Sequence, residues 1–212
     1  MTILFLISLF FCWMVYREFR NPKVAVVGFS SFDIGYMCTT ASLAMVFAWM
    51  PVRHWHFQHL LTEKARLLSE NPSTTVYCNS VVDSIFDNDA RRVGHASPVT
   101  GEIVFQQPWC GHLMDYLDHP EHASDDEIFS LHILTHESMH ARGEYNEAKT
   151  DCQAIQRDYR AGKMLGLPDD IAKKNARYFY EHLYPKHPYF NFDCVPGKAW
   201  DEKLSDGSWY VW

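Results

Sequence analysis

The run "IGYMCTTASLAMVFAWMPV", residues 34–52, carries no charge over 19 residues. A stretch of that length and polarity folds as a helix in a bilayer or in the middle of a core. A second uncharged run, "TILFLISLFFCWMVY", occupies residues 2–16. It is shorter than the roughly 20 residues of a spanning helix, with Trp13 and Tyr16 where interfacial aromatics would sit. It has neither the basic start nor the small-residue cleavage site of a signal peptide; Arg17, Arg20 and Lys23 follow it instead. Two neighbouring apolar runs make a transmembrane helical hairpin over 1–52 the expectation, against the alternative of a buried soluble helix. Asp33 can cap the second helix. Gly35, Ala41, Ser42 and Ala44 suit close helix packing.

The short loop carrying Arg17, Arg20 and Lys23 is expected to stay cytoplasmic. The expected localisation is therefore a multi-pass cell-membrane protein with its C-terminal domain extracytoplasmic. Arg53, Lys64 and Arg66 also flank the second run, so the charge bias is modest. An oxidising setting bears on the cysteines. Cys12 and Cys38 lie in the apolar runs, whereas Cys78, Cys110, Cys152 and Cys194 are spread through the polar remainder. None form a C-x-x-C pair, and an even set of four in a non-cytosolic domain suggests two disulfides. Three pairings are open; in a cytosolic protein the same four would be buried thiols.

The formal charge of −7 and the absence of a basic stripe exclude a nucleic-acid partner. Residues 53–75 read as a juxtamembrane helix, "RHWHFQHLLTEKARLLSE", and a linker opened by "NPS". His54, His56 and His59 fall there among Trp55, Phe57, Leu60 and Leu61, which reads as an interfacial surface more readily than a metal site. Residues 76–212 form the remaining domain. "TVYCNSVVDSIF" mixes strand and helix signals. "RVGHASPVTGEIVFQQP", 92–108, reads as a β-hairpin, and "WCGHLMDYLDHP" as a short helix. "SDDEIFSLHILTHESMHAR" is a helix with Ser124 as N-cap and Gly143 as its stop. Asn146 caps the next, "EAKTDCQAIQRDYRAGKML", and "DDIAKKNARYFYEHLY" makes a third. The fold class expected is α+β, mostly α.

His136 and His140 stand four apart on one helix, so their rings share a face and can bind one ion. Glu137 between them is rotated toward the open position of that ion. There it can take a proton from a water whose pKa zinc brings to about 7. H-E-x-x-H alone is only moderately specific in a chain with 12 histidines, and its bland reading is a solvated helix face. The apolar approach "IFSLHIL" and a second acidic pair at helical spacing weigh against that.

In metzincin peptidases the motif continues H-x-x-G-x-x-H or -D. Gly143 matches, but position 146 is Asn, a weak neutral ligand. The segment "NEAKTD", 146–151, instead resembles the N-E-A-x-S-D segment of gluzincin, thermolysin-like metallopeptidases. That resemblance implies Glu147 as third zinc ligand and Asp151 as the residue that orients His136. It departs from the family in spacing, since gluzincins place a longer insert between the two helices. In one continuous helix the seven steps from His140 to Glu147 would span about 10 Å. The chain must turn back, and Gly143 and Asn146 supply the break. Thr135 to Gln156 also resembles, as a block, membrane-anchored actinobacterial proteins with T-H-E-x-x-H-x-x-G-x-x-[ND]-E-A-x-[TA]-[DE]-C-x-A-x-Q. "DCVPGKAWDEKL" belongs to the same pattern, so the resemblance covers about residues 76–204.

The expectation is a membrane-anchored, zincin-like metallopeptidase acting on a peptide or protein substrate. Zn2+ would be held by His136, His140 and Glu147, with Glu137 as base and Asp151 orienting His136. Tyr178, His182, Tyr184 and His187 are candidate donors to an oxyanion. The alternative is a non-catalytic extracytoplasmic binding or structural domain in which the metal only braces two helices.

Overall fold

The computed structural model describes residues 2–87 and 92–211. The chain divides into two compact units, Met1–Phe57 and Gln58–Trp212.

In the first unit, α1 (Thr2–Phe19) and the short α2 (Pro22–Val27) precede α3 (Ser31–Ser69). Asn21 caps α2 by accepting from Lys23 N. Among the described residues α3 alone is long and apolar enough to cross a membrane by length and composition. α1 meets it through small residues: Ser8 Oγ donates to Ala44 O at 2.9 Å, and Phe11 stacks on Phe47. Ala44 and Thr40 are buried there. Gly35 and Ser42 take no part, as a Cβ at Gly35 would meet open space and Ser42 is exposed. Ile3, Leu6, Met45, Val46 and Trp49 are exposed.

In the second unit the end of α3, within the stretch expected to be a juxtamembrane helix, belongs to the core. Leu61, Ala65 and Leu68 recur at helical spacing and are buried. Gln58 Oε1 accepts from Cys78 N, and Thr62 Oγ1 from Val76 N. These bonds dock β1 (Thr75–Cys78) beside the helix. The ambiguous segment 75–86 resolves into that strand followed by α4 (Val81–Phe86), where a Ser80–Asp83 capping box starts the helix. The hairpin expected over 92–108 is present as β2 (Gly94–Ala96) antiparallel to β3 (Glu102–Phe105). β1 joins β3 in parallel, giving the order β1-β3-β2 with β2 outermost.

Helices α5 (Trp109–Asp118), α6 (Asp125–Arg142), α7 (Glu147–Met164) and α8 (Asp169–Tyr178) complete the unit, with one π-turn at Phe179–Leu183. α6 is the central element. Its capping box, Ser124 with Glu127, anchors the N-terminus and is worth about 1 kcal/mol. From Ile128 to Ala141 nearly every residue is buried, including Ser130, His132, Thr135, His136, Glu137 and Ser138. Polar side chains on a helix buried all round need partners, and those of α6 find most of theirs on α7. The four chain cysteines of this unit pair as Cys78–Cys110 and Cys152–Cys194, with Cα–Cα distances of 5.7 and 5.4 Å. The chain is thus mostly helical with one small sheet, as its patterning implied.

Candidate metal centre

The reversal between α6 and α7 takes four residues. Gly143, at φ 111°, is the left-handed C-cap of α6. Glu144 then folds the turn on itself: its carboxylate accepts from Tyr145 N and Asn146 N and pairs with Lys149 at 2.7 Å. Asn146 accepts from Lys149 N and caps α7. Glu147, the first residue of α7, is thereby returned to the face of α6 that carries the two histidines.

Three donor atoms converge there. His136 Nε2 and His140 Nε2 are 3.1 Å apart, and each is 3.2 Å from Glu147 Oε2. Ligand atoms around a tetrahedral ion at about 2.0 Å lie about 3.3 Å from one another. The opposite nitrogens define the tautomers. His136 Nδ1 donates to Asp151 Oδ1 at 3.0 Å, and His140 Nδ1 donates to the Glu144 carbonyl at 2.7 Å. Both acceptors lack protons, so both Nδ1 atoms must carry one. The neutral rings therefore aim two Nε2 lone pairs and a carboxylate oxygen at a single point. Such a triangle is repulsive unless a cation or a proton lies within it, and its donor set fits a divalent metal.

Without metal a proton takes that role. Burial opposes charge on His136, but hydrogen bonds to Asp151 and Glu147 prevail and raise its pKa to about 9. The hydrogen bond from His136, with the attraction of both imidazoles, lowers that of Glu147 to about 2.

Asp151 is fully buried and serves three imidazoles. Its Oδ1 accepts from His136 and, at 2.9 Å, from His132 Nε2. Its Oδ2 is in ion-pair contact with His187 Nδ1 at 2.9 Å, off the line of a good hydrogen bond. Burial works to raise its pKa, and the charge of His132 with these hydrogen bonds overrides it, holding the carboxyl well below the usual range. Burial likewise opposes charge on His132, yet Asp158 and Asp151 raise its pKa to about 10. His132, Asp151 and His136 form a second group with metal-binding spacing, but hydrogen bonds already join its atoms.

Glu137 is buried, 5% exposed, and its Oε2 has no hydrogen-bond partner. Burial pushes its carboxyl pKa up, against the pull of the nearby histidines. It borders a cleft of about 710 Å³ together with His136, His140 and Glu147. The opposite wall is β2. A Cβ at Gly94 would lie 3.1 Å from the Ile133 side chain and 3.4 Å from that of Glu137, so glycine lets strand and helix approach closely and a larger residue would crowd both side chains.

Of the oxyanion candidates, His187 reaches the cleft. Tyr178 bonds Asp125 at the surface and stacks on His182, and Tyr184 is buried with its hydroxyl on the Asn191 backbone. His56 and His59 join no potential metal-binding group among the described residues. The sequence motifs do not mark His132, Asp158 or Tyr189, whose ring stacks on His136 at 6.0 Å. A signal existed for the first two. His132 precedes His136 by one helical turn, and Asp158 follows Asp151 by two. The chain matches no family model, no curated protein and no solved structure.

Proposed function

We propose that the chain is a membrane-anchored, zinc-dependent peptidase-like hydrolase, with Zn2+ on His136, His140 and Glu147. The single observation that carries this reading is the convergence of two Nε2 lone pairs and one carboxylate oxygen within 3.2 Å, each imidazole held from behind by an acceptor. When bound, the ion supplies Lewis acidity at the cleft and polarises water and carbonyl oxygen. Three protein ligands beside an open cleft favour a reactive centre over a bracing one, in which a fourth side chain would close the shell.

The protein's own groups fit the rest of the chemistry. Glu137 lies in the cleft with a carboxylate oxygen free of hydrogen bonds and a raised affinity for protons. It takes the proton from the attacking water and passes it to the leaving amine. His187 and Tyr189 border the same cleft and can donate to oxygen as charge develops. The outer edge of β2 along the cleft suits an extended peptide, which would add as a further strand. α3 would anchor the chain, and the two disulfides agree with an extracytoplasmic second unit.

The test is incubation of the zinc-loaded full chain with a mixed peptide pool, read by mass spectrometry. Cleavage should appear with the wild type and vanish in Glu137→Gln, which keeps its zinc. Equal cleavage by both would refute the base; zinc loading without cleavage of any peptide would leave the structural-domain reading standing.

A further inference from the structure

His132 is a buried residue that the proposed hydrolysis does not use. Its Nδ1 lies 2.9 Å from Asp158 Oδ2 and its Nε2 lies 2.9 Å from Asp151 Oδ1. A carboxylate offers only acceptors, so both ring nitrogens must be N–H donors and the ring is an imidazolium. Its other surroundings suit a cation. The Phe179 ring stacks on it at 4.1 Å, presenting the negative face of an aromatic. Phe129, His136 and His187 lie farther off, with ring centroids at 6.1 Å in each case. Thr135 Oγ1 donates to the second oxygen of Asp158, fixing that carboxylate. The hydrogen bonds therefore run without a break from Thr135 through Asp158, His132 and Asp151 to His136.

We propose that His132 is a positioning residue of the metal centre: an imidazolium, clamped by Asp158, that locks Asp151 against His136 and balances its charge. The inference rests on the metal reading above. Asp151 without His132 would be a buried carboxylate facing a neutral ligand ring, a costly arrangement relieved by rotating away or by pulling harder on the Nδ1 proton. Either change is felt at His136. Groups that hold a ligand histidine from behind commonly contribute 10- to 100-fold in metal affinity.

The test uses the full chain in detergent micelles, stripped of metal and titrated with Co2+. Affinity is read by dye competition, and the pH midpoint of the cobalt visible spectrum is read separately. His132→Asn should retain one cobalt site, bind it roughly 10- to 100-fold more weakly, and move the spectral midpoint upward by roughly half a unit or more. Ser130→Ala removes a buried α6 hydroxyl that donates to Glu127 O, outside this chain of bonds, and leaves the charge on His132, so its affinity and midpoint should match the wild type. A matching shift in Ser130→Ala would mark the effect as general loosening and overturn the proposal. So would a His132→Asn chain indistinguishable from the wild type while the wild type loads cobalt. A wild type that takes up no cobalt would overturn the metal reading and this proposal together. A measurement that needs no variant is the histidine 15N spectrum of the zinc-loaded wild type at neutral pH, in which the metal displaces the His136 proton. A ring protonated at both nitrogens should remain there; finding every ring neutral overturns the assignment.

Discussion

His136 donates from Nδ1 to Asp151 Oδ1 across 3.0 Å, and this bond turns Nε2 of the same ring toward Glu147. Asp151 lies one helical turn after Glu147 on α7, so the proposed ligand and the carboxylate that orients His136 arrive on one face of one helix. Removing the acceptor should free the tautomer. Asp151→Ala is expected to weaken metal binding roughly 10- to 100-fold, measured by chelator competition. Unchanged affinity would detach Asp151 from the centre.

Metal binding should depend on pH with a definite sign. In the metal-free protein His136 holds a proton to a pKa of about 9. Below that value the metal must displace the proton, so affinity should rise roughly tenfold per pH unit from neutrality toward pH 9 and then level. Calorimetry in two buffers of different ionisation enthalpy should report about one proton released per ion at neutral pH. A flat profile would contradict the proton's place in the triangle.

The α6–α7 reversal makes its own prediction. Gly143 adopts φ 111°, a region costly to residues with a Cβ. Gly143→Ala should lower stability by about 1 kcal/mol, seen as a lower thermal midpoint. Because the strain falls between His140 and Glu147, metal affinity should drop as well. A stability loss with no change in affinity would separate the turn from the site.

The cysteine pairs are open to direct mapping. A non-reducing digest should yield Cys78–Cys110 and Cys152–Cys194, with Cys12 and Cys38 alkylated as free thiols. Four alkylatable cysteines in the second unit would argue for a reducing compartment and against the proposed topology.

Much of this site could be read before the fold, because its parts are local. His136, Glu137 and His140 are one turn of one helix, and Gly143 and Asn146 announce where that helix ends and the next begins. Those residues also foretold that Glu147 could close on His140. Glu144 was missed because its role is within the turn itself, where its backbone carbonyl holds His140 and its side chain holds Tyr145 and Asn146. His132 and Asp158 were legible only as a pair across two helices, and a lone buried histidine carries no sign of its partner. His187 and Tyr189 come from a tail without periodicity, brought to α7 beside the Cys152–Cys194 bridge. Cysteine pairing is a property of the whole path, so composition gave the number of bridges and not their partners. The strand in 75–78 was ambiguous because its pattern is decided by contact with α3 and β3, not by its own sequence.

The most direct measurement is zinc stoichiometry. The purified full chain, stripped by chelator and dialysed against Zn2+, should hold one zinc per chain, and His140→Ala and Glu147→Ala should fall to background after the same dialysis. Less than one zinc per two chains in the wild type, or full loading in Glu147→Ala, would contradict the metal centre.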